Sequence, residues 1–412
     1  MAQENPSNPN QKESGRKWRS NTLAEYFSSR GHKVIRWRSS FSHQRKVQLA
    51  KNSIKEKHGN YYHQYIKAGS YTNHISISRI LSHYDLARNF KNIAELSEKP
   101  DIVHLANVPI ELSYSVAKFC FRNKIPYIVD IRDLWPDIYA DLIPKRFSKL
   151  KVIANLIFKL IYDKKIYFIF KNAKSITALT ESFLKWGLKK IGREKIDTDY
   201  ILPMSFDAHV KNPNFKRQNN FSKKYNLKKN NIIISYVGNI GYQSEFKTIF
   251  KAAQILEKKD PNIIFSFSGT GPLLKKLEKK CSMLNNVLFT GWLDGDNLRN
   301  LLELSTLGLI IYKNDLNYVL NIPNKFPEYL SYGKPIACGT NGEMSDLVNK
   351  YNIGFTFDIE NHNDFIFKLQ QFLQQDKSLE IASNAAIKLH KEYFLSSVNY
   401  PKYCKFIESL LT

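Results

Sequence analysis

Residues 231–272 read NIIISYVGNIGYQSEFKTIFKAAQILEKKDPNIIFSFSGTGP. The run NIIISYVGNI is rich in β-branched and aromatic residues and ends in a glycine-bounded turn. FKTIFKAAQILEKK then carries apolar residues at helical spacing, and NIIFSFSGTG is a second apolar run that again closes on glycine. Strand-like runs separated by a helix are the pattern of a parallel, doubly wound sheet. Downstream the alternation continues with GPLLKKLEKKCSML as helix, NVLFTGW as strand, DNLRNLLELS as helix, TLGLIIYK as strand, NKFPEYLSYG as helix and KPIACGT as strand. Residues 378–412 read as terminal helices.

Upstream, the same alternation occupies the other half of the chain. TLAEYFSSRG reads as an amphipathic helix with Leu23, Tyr26 and Phe27 on one side and Gly31 closing it, followed by the strand HKVIRWRSS. PDIVHLANV, IPYIVDIRD and KSITALT are further strands, with helices at ELSYSVAKFCFRN and near 147–171. Between the halves, PMSFDAHVKNPNFKRQNN is polar, carries two prolines and reads as a linker. The expected fold is α/β, with two Rossmann-like doubly wound parallel-sheet domains facing across a cleft. The expected boundaries are 1–204 for the first domain, including a polar arm at 1–20, 205–385 for the second, and 386–412 for C-terminal helices.

Over 412 residues, Lys and Arg number 62 against 37 Asp and Glu, a formal charge of +25. That balance calls for anionic partners: nucleic acid, an acidic membrane surface or phosphorylated small molecules. No recognisable nucleic-acid module appears, which ranks the first of these low. The four cysteines, Cys120, Cys281, Cys338 and Cys404, lie far apart with no CxxC pair, against zinc and against a disulfide framework, as in a reducing cytoplasm. MAQENPSNPNQKESGRK lacks the apolar centre of a signal peptide, and no run of about 18 uncharged apolar residues occurs.

Three segments carry candidate chemistry. Gly238 and Gly241 bracket a strand-to-helix turn, where backbone amides can approach phosphate oxygens; the plain alternative is a turn that needs positive φ. In NIPNKFPEYLSYGKPIACGTNGE, Lys325 stands at a helix start with Glu328 three residues on, so a cation and a carboxylate could meet a diphosphate and ribose hydroxyls together. Taken alone, that pair is as well read as a surface ion pair. VDIRDLWPD places Asp130, Arg132, Asp133 and Asp137 at the end of a strand, where they could hold sugar hydroxyls. The other reading pairs Arg132 with an Asp inside the protein and packs Trp135 in the core. Finally, residues 144–195 hold 14 Lys or Arg against 3 Asp or Glu, interleaved with apolar residues. This fits a surface for anionic lipid, or a core helix with a solvated lysine face.

The ordered set GNIG, FSGTGP, NVLFTGWL, NKFPEYLSYGKPI and GTNGE resembles the donor domain of the family 4 retaining glycosyltransferases of GT-B fold. RGHKVIRWRSSFSH, PDIVHLANVP and VDIRDLWPD are similar to a bacterial subgroup that builds lipopolysaccharide, O-antigen and capsule. The resemblance covers roughly residues 18–375. It implies a nucleotide-sugar donor bound by the second domain, a lipid-linked or glycan acceptor held by the first, retention of anomeric configuration, and no metal or other cofactor. By matching position, Glu328 takes the ribose hydroxyls, Lys325 and the amides around Gly238, Asn239 and Gly241 the diphosphate, and Gly291, Trp292 and Leu293 the base. Gly269 and Glu343 fall in the matching donor-pocket motifs. Lys325, Asp130, Arg132 and Asp133 are the candidate catalytic residues.

The chain departs from the family pattern at four places. Leu320 stands where the first of two paired carboxylates is usual. Asn239 replaces a customary Arg, which gives more of the diphosphate charge to Lys325 and Lys247. Ala106 stands where many members have a histidine two places after His104. The usual first hydrophobic strand is absent, so the coding region starts further upstream or the arm around Gly15 and Arg16 replaces it. These departures also keep open a non-catalytic scaffold of the same fold.

Overall fold

The computed structural model describes residues 19–43, 46–72, 76–138, 148–207 and 220–411, without the side chains of 148–151, 154, 155 and 220. Most of the expected polar arm and residues 208–219 of the expected linker therefore lie outside the described residues. The chain forms two compact units, one comprising Arg16–Pro203 with Ser397–Thr412 and the other Met204–Ser396.

Unit 1 begins with α1 (Arg19–Ser29), which ends ahead of Gly31 at φ +90° and leads into β1 (Ile35–Ser39). An antiparallel hairpin of β2 (Phe41–Ser42) and β3 (Val47–Gln48) follows. Next come β4 (Lys55–His58) and β5 (Tyr61–Ile66), giving a sheet of order β1-β5-β4 in which β5 runs parallel to β1 and antiparallel to β4. The chain continues through α2 (Ile77–Ala94), β6 (Val103–Ala106), α3 (Ile110–Arg122), β7 (Tyr127–Ile131), α4 (Ser148–Lys171), β8 (Ser175–Ala178), α5 (Glu181–Ile191) and β9 (Tyr200–Ile201). The last four strands form a parallel sheet of order β6-β7-β8-β9. Among the described residues no strand joins β1 to β6, so the parallel strands of unit 1 stand as two sheets. β7 is buried along its whole length, which is why its sequence, YIVDI, is apolar except for one acid.

Unit 2 is the more regular. After α6 (Asn220–Lys224) come β10 (Ile232–Val237), α7 (Phe246–Lys259), β11 (Ile263–Ser268), α8 (Leu274–Lys280), β12 (Val287–Gly291), α9 (Gly295–Leu304) and β13 (Leu307–Ile310). They are followed by α10 (Leu316–Val319), α11 (Lys325–Ser331), β14 (Ile336–Cys338), α12 (Glu343–Tyr351), β15 (Gly354–Thr356), α13 (His362–Gln374) and α14 (Ser378–Leu389). The six strands are parallel in the order β12-β11-β10-β13-β14-β15. One core contains Phe246, Phe250, Phe265 and Phe267, and a second contains Leu301, Phe326, Tyr329 and Leu330. Strand order reverses at β10 and β13, and the crevice at the carboxyl ends of strands at such a switch point is where ligands of open α/β sheets bind.

The terminal helix α15 (Ser396–Ser409) returns to unit 1, where Tyr400, Tyr403 and Ile407 pack with Leu23, Ile128 and Leu202. The expected C-terminal group at 386–412 is thus divided, because the end of α14 and a π-helical turn at His390–Phe394 stay with unit 2. All four cysteines are buried and free. Among the described residues no helix is long and apolar enough to cross a membrane.

Candidate functional site

Three glycines close three neighbouring strands of unit 2. Gly238, Gly269 and Gly291 follow or end β10, β11 and β12 at φ +142°, +138° and +68°, a region that L side chains rarely adopt. The Gly238 amide donates to the Ser268 carbonyl at 2.9 Å and the Gly269 amide to the Gly291 carbonyl at 2.7 Å. A Cβ on Gly269 would collide with the Gly238 carbonyl. The glycine-ended runs of the sequence are therefore one edge, laced together through backbone that L side chains rarely adopt.

From that edge the chain turns into α7. The Tyr236 hydroxyl donates to the Asn239 carbonyl at 2.8 Å, and the Ile240 amide donates to the Thr270 carbonyl at 2.8 Å. The amides of Gly238 and Ile240 are thus spent, and among the described residues those of Asn239 and Gly241 remain for a ligand. Glu245 caps α7 by accepting from the Lys247 amide at 3.0 Å, and the Lys247 side chain is exposed on the first turn. A carboxylate at this helix start disfavours an anion there, so α7 itself is not the anion-binding end.

Lys325 fills that role from the other side. It begins α11 with Pro327 and Glu328 in the same first turn, and Lys325 and Glu328 are only 5% and 2% exposed, which is not the surface ion pair of the alternative reading. The Lys325 ammonium lies 3.7 Å from the Tyr236 ring centroid and 4.6 Å from that of Tyr312. A Cβ on Gly238 would stand 3.2 Å from the ammonium, so the glycine leaves the cation room at the strand end. Tyr312 is itself stacked on Tyr318 at 4.4 Å. The helix is pinned by Tyr329, whose hydroxyl donates to the Ser235 carbonyl at 2.8 Å and accepts from the Val237 amide at 2.9 Å. Burial holds the Tyr236 and Tyr329 phenols above their ordinary range and hence neutral. The result is a lysine head group held over aromatic faces at the carboxyl edge of the sheet.

Other donor-site candidates border this point. Glu343 is the first residue of α12, whose cap, Gly342, has φ +88° and supplies no side-chain bond; a Cβ there would strike the Val319 carbonyl beside Leu320. Trp292 follows Gly291 with its side chain 64% exposed, while Leu293 is half-buried against the core of α9 and α11. Sequence reasoning did not single out Tyr236, Tyr312 or Tyr329. Their only signal was an aromatic in a buried strand or helix, which reads equally well as core.

In unit 1 the candidates divide differently. Asp130 is fully buried: Arg19 donates from Nη2 to Oδ1 at 3.0 Å and from Nε to Oδ2 at 3.2 Å, and Arg132 Nε donates to Oδ2 at 2.7 Å. Arg19 also donates to the Leu202 carbonyl at 2.7 Å. Burial alone would raise Asp130, but the two guanidiniums outweigh it and hold the carboxyl below its usual range. The reading of Asp130 and Arg132 as groups for sugar hydroxyls is therefore corrected: they form an internal ion pair, with Trp135 buried nearby in sequence. Asn107 ties the neighbouring loops, accepting from the Arg132 amide at 3.0 Å and donating to the Asp133 carbonyl at 2.7 Å. Asp137 accepts from Trp186 Nε1 at 2.8 Å and Lys190 at 2.9 Å, which anchors the loop to α5. His104 shares a hydrogen bond with the Tyr403 hydroxyl at 3.0 Å and is pushed by burial to about 4, so it is neutral. Of the candidates after β7, Asp133 keeps a half-buried side chain at the carboxyl edge.

Residues 217–389, nearly the whole of unit 2, match the family model "Glycosyl transferases group 1". WaaG, a glycosyltransferase involved in lipopolysaccharide biosynthesis, superposes with a TM-score of 0.67 at 14% identity over 94% of both chains. The fold is GT-B. The same fold relates the chain to Anabaena HepE, solved in complex with UDP-glucose, at a TM-score of 0.60 and 13% identity over 84% of this chain and 86% of that one. In sequence, it is 27% identical over 218 residues to the putative teichuronic acid biosynthesis glycosyltransferase TuaH of Bacillus subtilis. That match covers 50% of each chain, so this GT-B chain spans about half the length of its curated relative. Among the described residues no group of three or more His, Cys, Asp or Glu is placed to hold a metal ion.

Proposed function

We propose that the protein is a family 4 glycosyltransferase that moves a sugar from a nucleotide-sugar donor to a lipid-linked or glycan acceptor with retention of configuration, in surface polysaccharide biosynthesis. The observation that carries this reading is the buried Lys325 ammonium beside Gly238, at the switch point of a unit that matches the group 1 glycosyltransferase model. Support for the donor class comes from HepE, whose structure holds UDP-glucose, and for the pathway from WaaG and TuaH, whose names place them in lipopolysaccharide and teichuronic acid biosynthesis.

The chemistry follows from the leaving group. As the glycosidic bond breaks, negative charge grows on the diphosphate, and groups that meet it more strongly in the transition state than in the ground state lower the barrier. Lys325 and the amides of Asn239 and Gly241 supply that stabilisation. Glu328 holds the ribose hydroxyls, and Trp292 lies against the base. Attack comes from the face that the diphosphate leaves, and a donor phosphate oxygen receives the acceptor proton. No metal is needed. Unit 1 holds the acceptor, and the enzyme works at the inner face of the cytoplasmic membrane.

Glu328→Gln tests the donor assignment while keeping the buried shape. Loss of a charged hydrogen bond to a ribose hydroxyl is worth about 1.5 to 3 kcal/mol, so donor affinity measured by calorimetry falls about 10- to 100-fold. Unchanged affinity in a variant that melts like the wild type contradicts the ribose role.

A further inference from the structure

Helix α4 is apolar on two sides. One side is core: Tyr162, Ile166, Ile169 and Phe170 are buried. The other faces water, where Val152, Ile153, Leu156, Ile157, Leu160 and Ile161 recur at helical spacing and are all exposed, Leu160 at 73%. Helix α2 carries a second exposed stripe, Ile77, Ile80, Leu81 and Tyr84, with Ile77 at 77%. The stripes meet at Lys165, whose ammonium lies 5.4 Å from the Tyr84 ring centroid and 5.2 Å from that of Tyr162. Beneath them the helices are tied together. The Tyr162 hydroxyl donates to Glu111 Oε1 of α3 at 2.7 Å, and His83 Nδ1 of α2 lies 3.6 Å from Glu111 Oε2.

An exposed apolar surface of this extent marks an interaction site. Charge decides the occupant. The α4 sequence holds six lysines and one acid, Asp163, and Lys159 and Lys164 are exposed on the same helix as the stripe. A second copy of the chain would oppose one basic rim to another, and a nucleic acid would gain nothing from the aliphatic side chains. A lipid bilayer with anionic headgroups satisfies both, because aliphatic side chains enter the acyl boundary while lysines reach the phosphates.

We propose that the exposed face of α2 and α4 inserts shallowly into an anionic lipid bilayer. The proposal rests on the peripheral-membrane reading above and changes its physics. The exposed aliphatic side chains of α4 and α2 add apolar insertion to the attraction of Lys159 and Lys164 for the headgroups.

The test is co-sedimentation of the full chain with vesicles of phosphatidylglycerol and phosphatidylethanolamine, against vesicles of phosphatidylcholine alone, at low salt and at 0.5 M NaCl, roughly a threefold shorter screening length than at 0.05 M. The expected result is binding to the anionic vesicles that partly survives high salt. Leu156→Asp/Leu160→Asp, and independently Ile77→Asp/Leu81→Asp, should each lower vesicle affinity about tenfold or more with unchanged melting. Wild-type affinity in both variants overturns the proposal. Complete release by salt, with the aliphatic variants unaffected, overturns insertion and leaves a purely electrostatic peripheral enzyme. Absence of wild-type binding to either vesicle overturns the peripheral reading as well. A wild-type dimer that the variants convert to monomer, without vesicle binding, assigns the face to self-association instead.

Discussion

Lys325→Ala lowers turnover about 100-fold or more, with the loss in the chemical step rather than in donor affinity. On the proposed function, Asn239 stands where the family 4 pattern that the chain resembles has an Arg, and Leu320 where it has a carboxylate, so fewer groups than usual would meet the leaving diphosphate. Removing one preorganised stabilising group of this kind costs about 3 to 4 kcal/mol of barrier. The ammonium is placed for the task by the rings of Tyr236 and Tyr312 and by the space that Gly238 leaves. Lys325→Arg restores only part of the rate, because a planar fork does not fit a slot between two rings in the way that an ammonium does. Steady-state and single-turnover kinetics on both variants, with melting curves, check this. A folded Lys325→Ala enzyme with near-normal turnover removes the phosphate site from the account.

Asp130→Ala costs about 3 to 5 kcal/mol of stability, because it leaves two guanidiniums facing an uncompensated buried space. Arg19 brings α1 and the Leu202 carbonyl to the end of β7, and Arg132 brings the following loop, so the variant loosens unit 1 at its centre. For a unit of this size the melting temperature falls on the order of 10 °C. The pH dependence has a definite sign. Since the folded-state carboxyl sits below its usual range, its contribution is present in full above the unfolded value of about 4 and is lost as pH falls below it. Asp130→Asn therefore melts lower than the wild type at neutral pH and shows a flatter acid limb. Thermal melts between neutrality and acid pH test both points, and equal stability across that range contradicts the internal role.

Unit 2 was legible because parallel strands buried on both faces read as unbroken apolar runs, and because Gly238, Gly269 and Gly291 announce backbone that other residues cannot adopt. Lys325 at the start of α11 was legible from its place ahead of Pro327 and Gly333. Other features were hidden for definite reasons. Strand β4 was missed because KEKH is polar and exposed, with none of the apolar signal of a buried strand, while in β5, YYHQYI, the buried His63 and Gln64 interrupt the apolar run. Arg19 and Asp130 are 111 residues apart, and no local pattern announces such a pair. The aromatic slot around Lys325 uses Tyr236 of β10 and Tyr312 just after β13, each of which looks like core. Helix α4 is apolar on both faces, so periodicity could not say which residues would be left in water, and the lysines drew attention instead.

On the proposed function, the buried Lys325 of unit 2 faces the diphosphate of a sugar nucleotide that the enzyme consumes. The most direct measurement is release of nucleoside diphosphate from a panel of nucleotide sugars, in EDTA, by the wild type and Lys325→Ala side by side. At least one donor is expected to be turned over without metal, and the variant to release product about 100-fold more slowly while still binding that donor. Donor binding without turnover in the wild type would make the chain a GT-B scaffold, and no binding to any member of the panel would contradict the donor site itself.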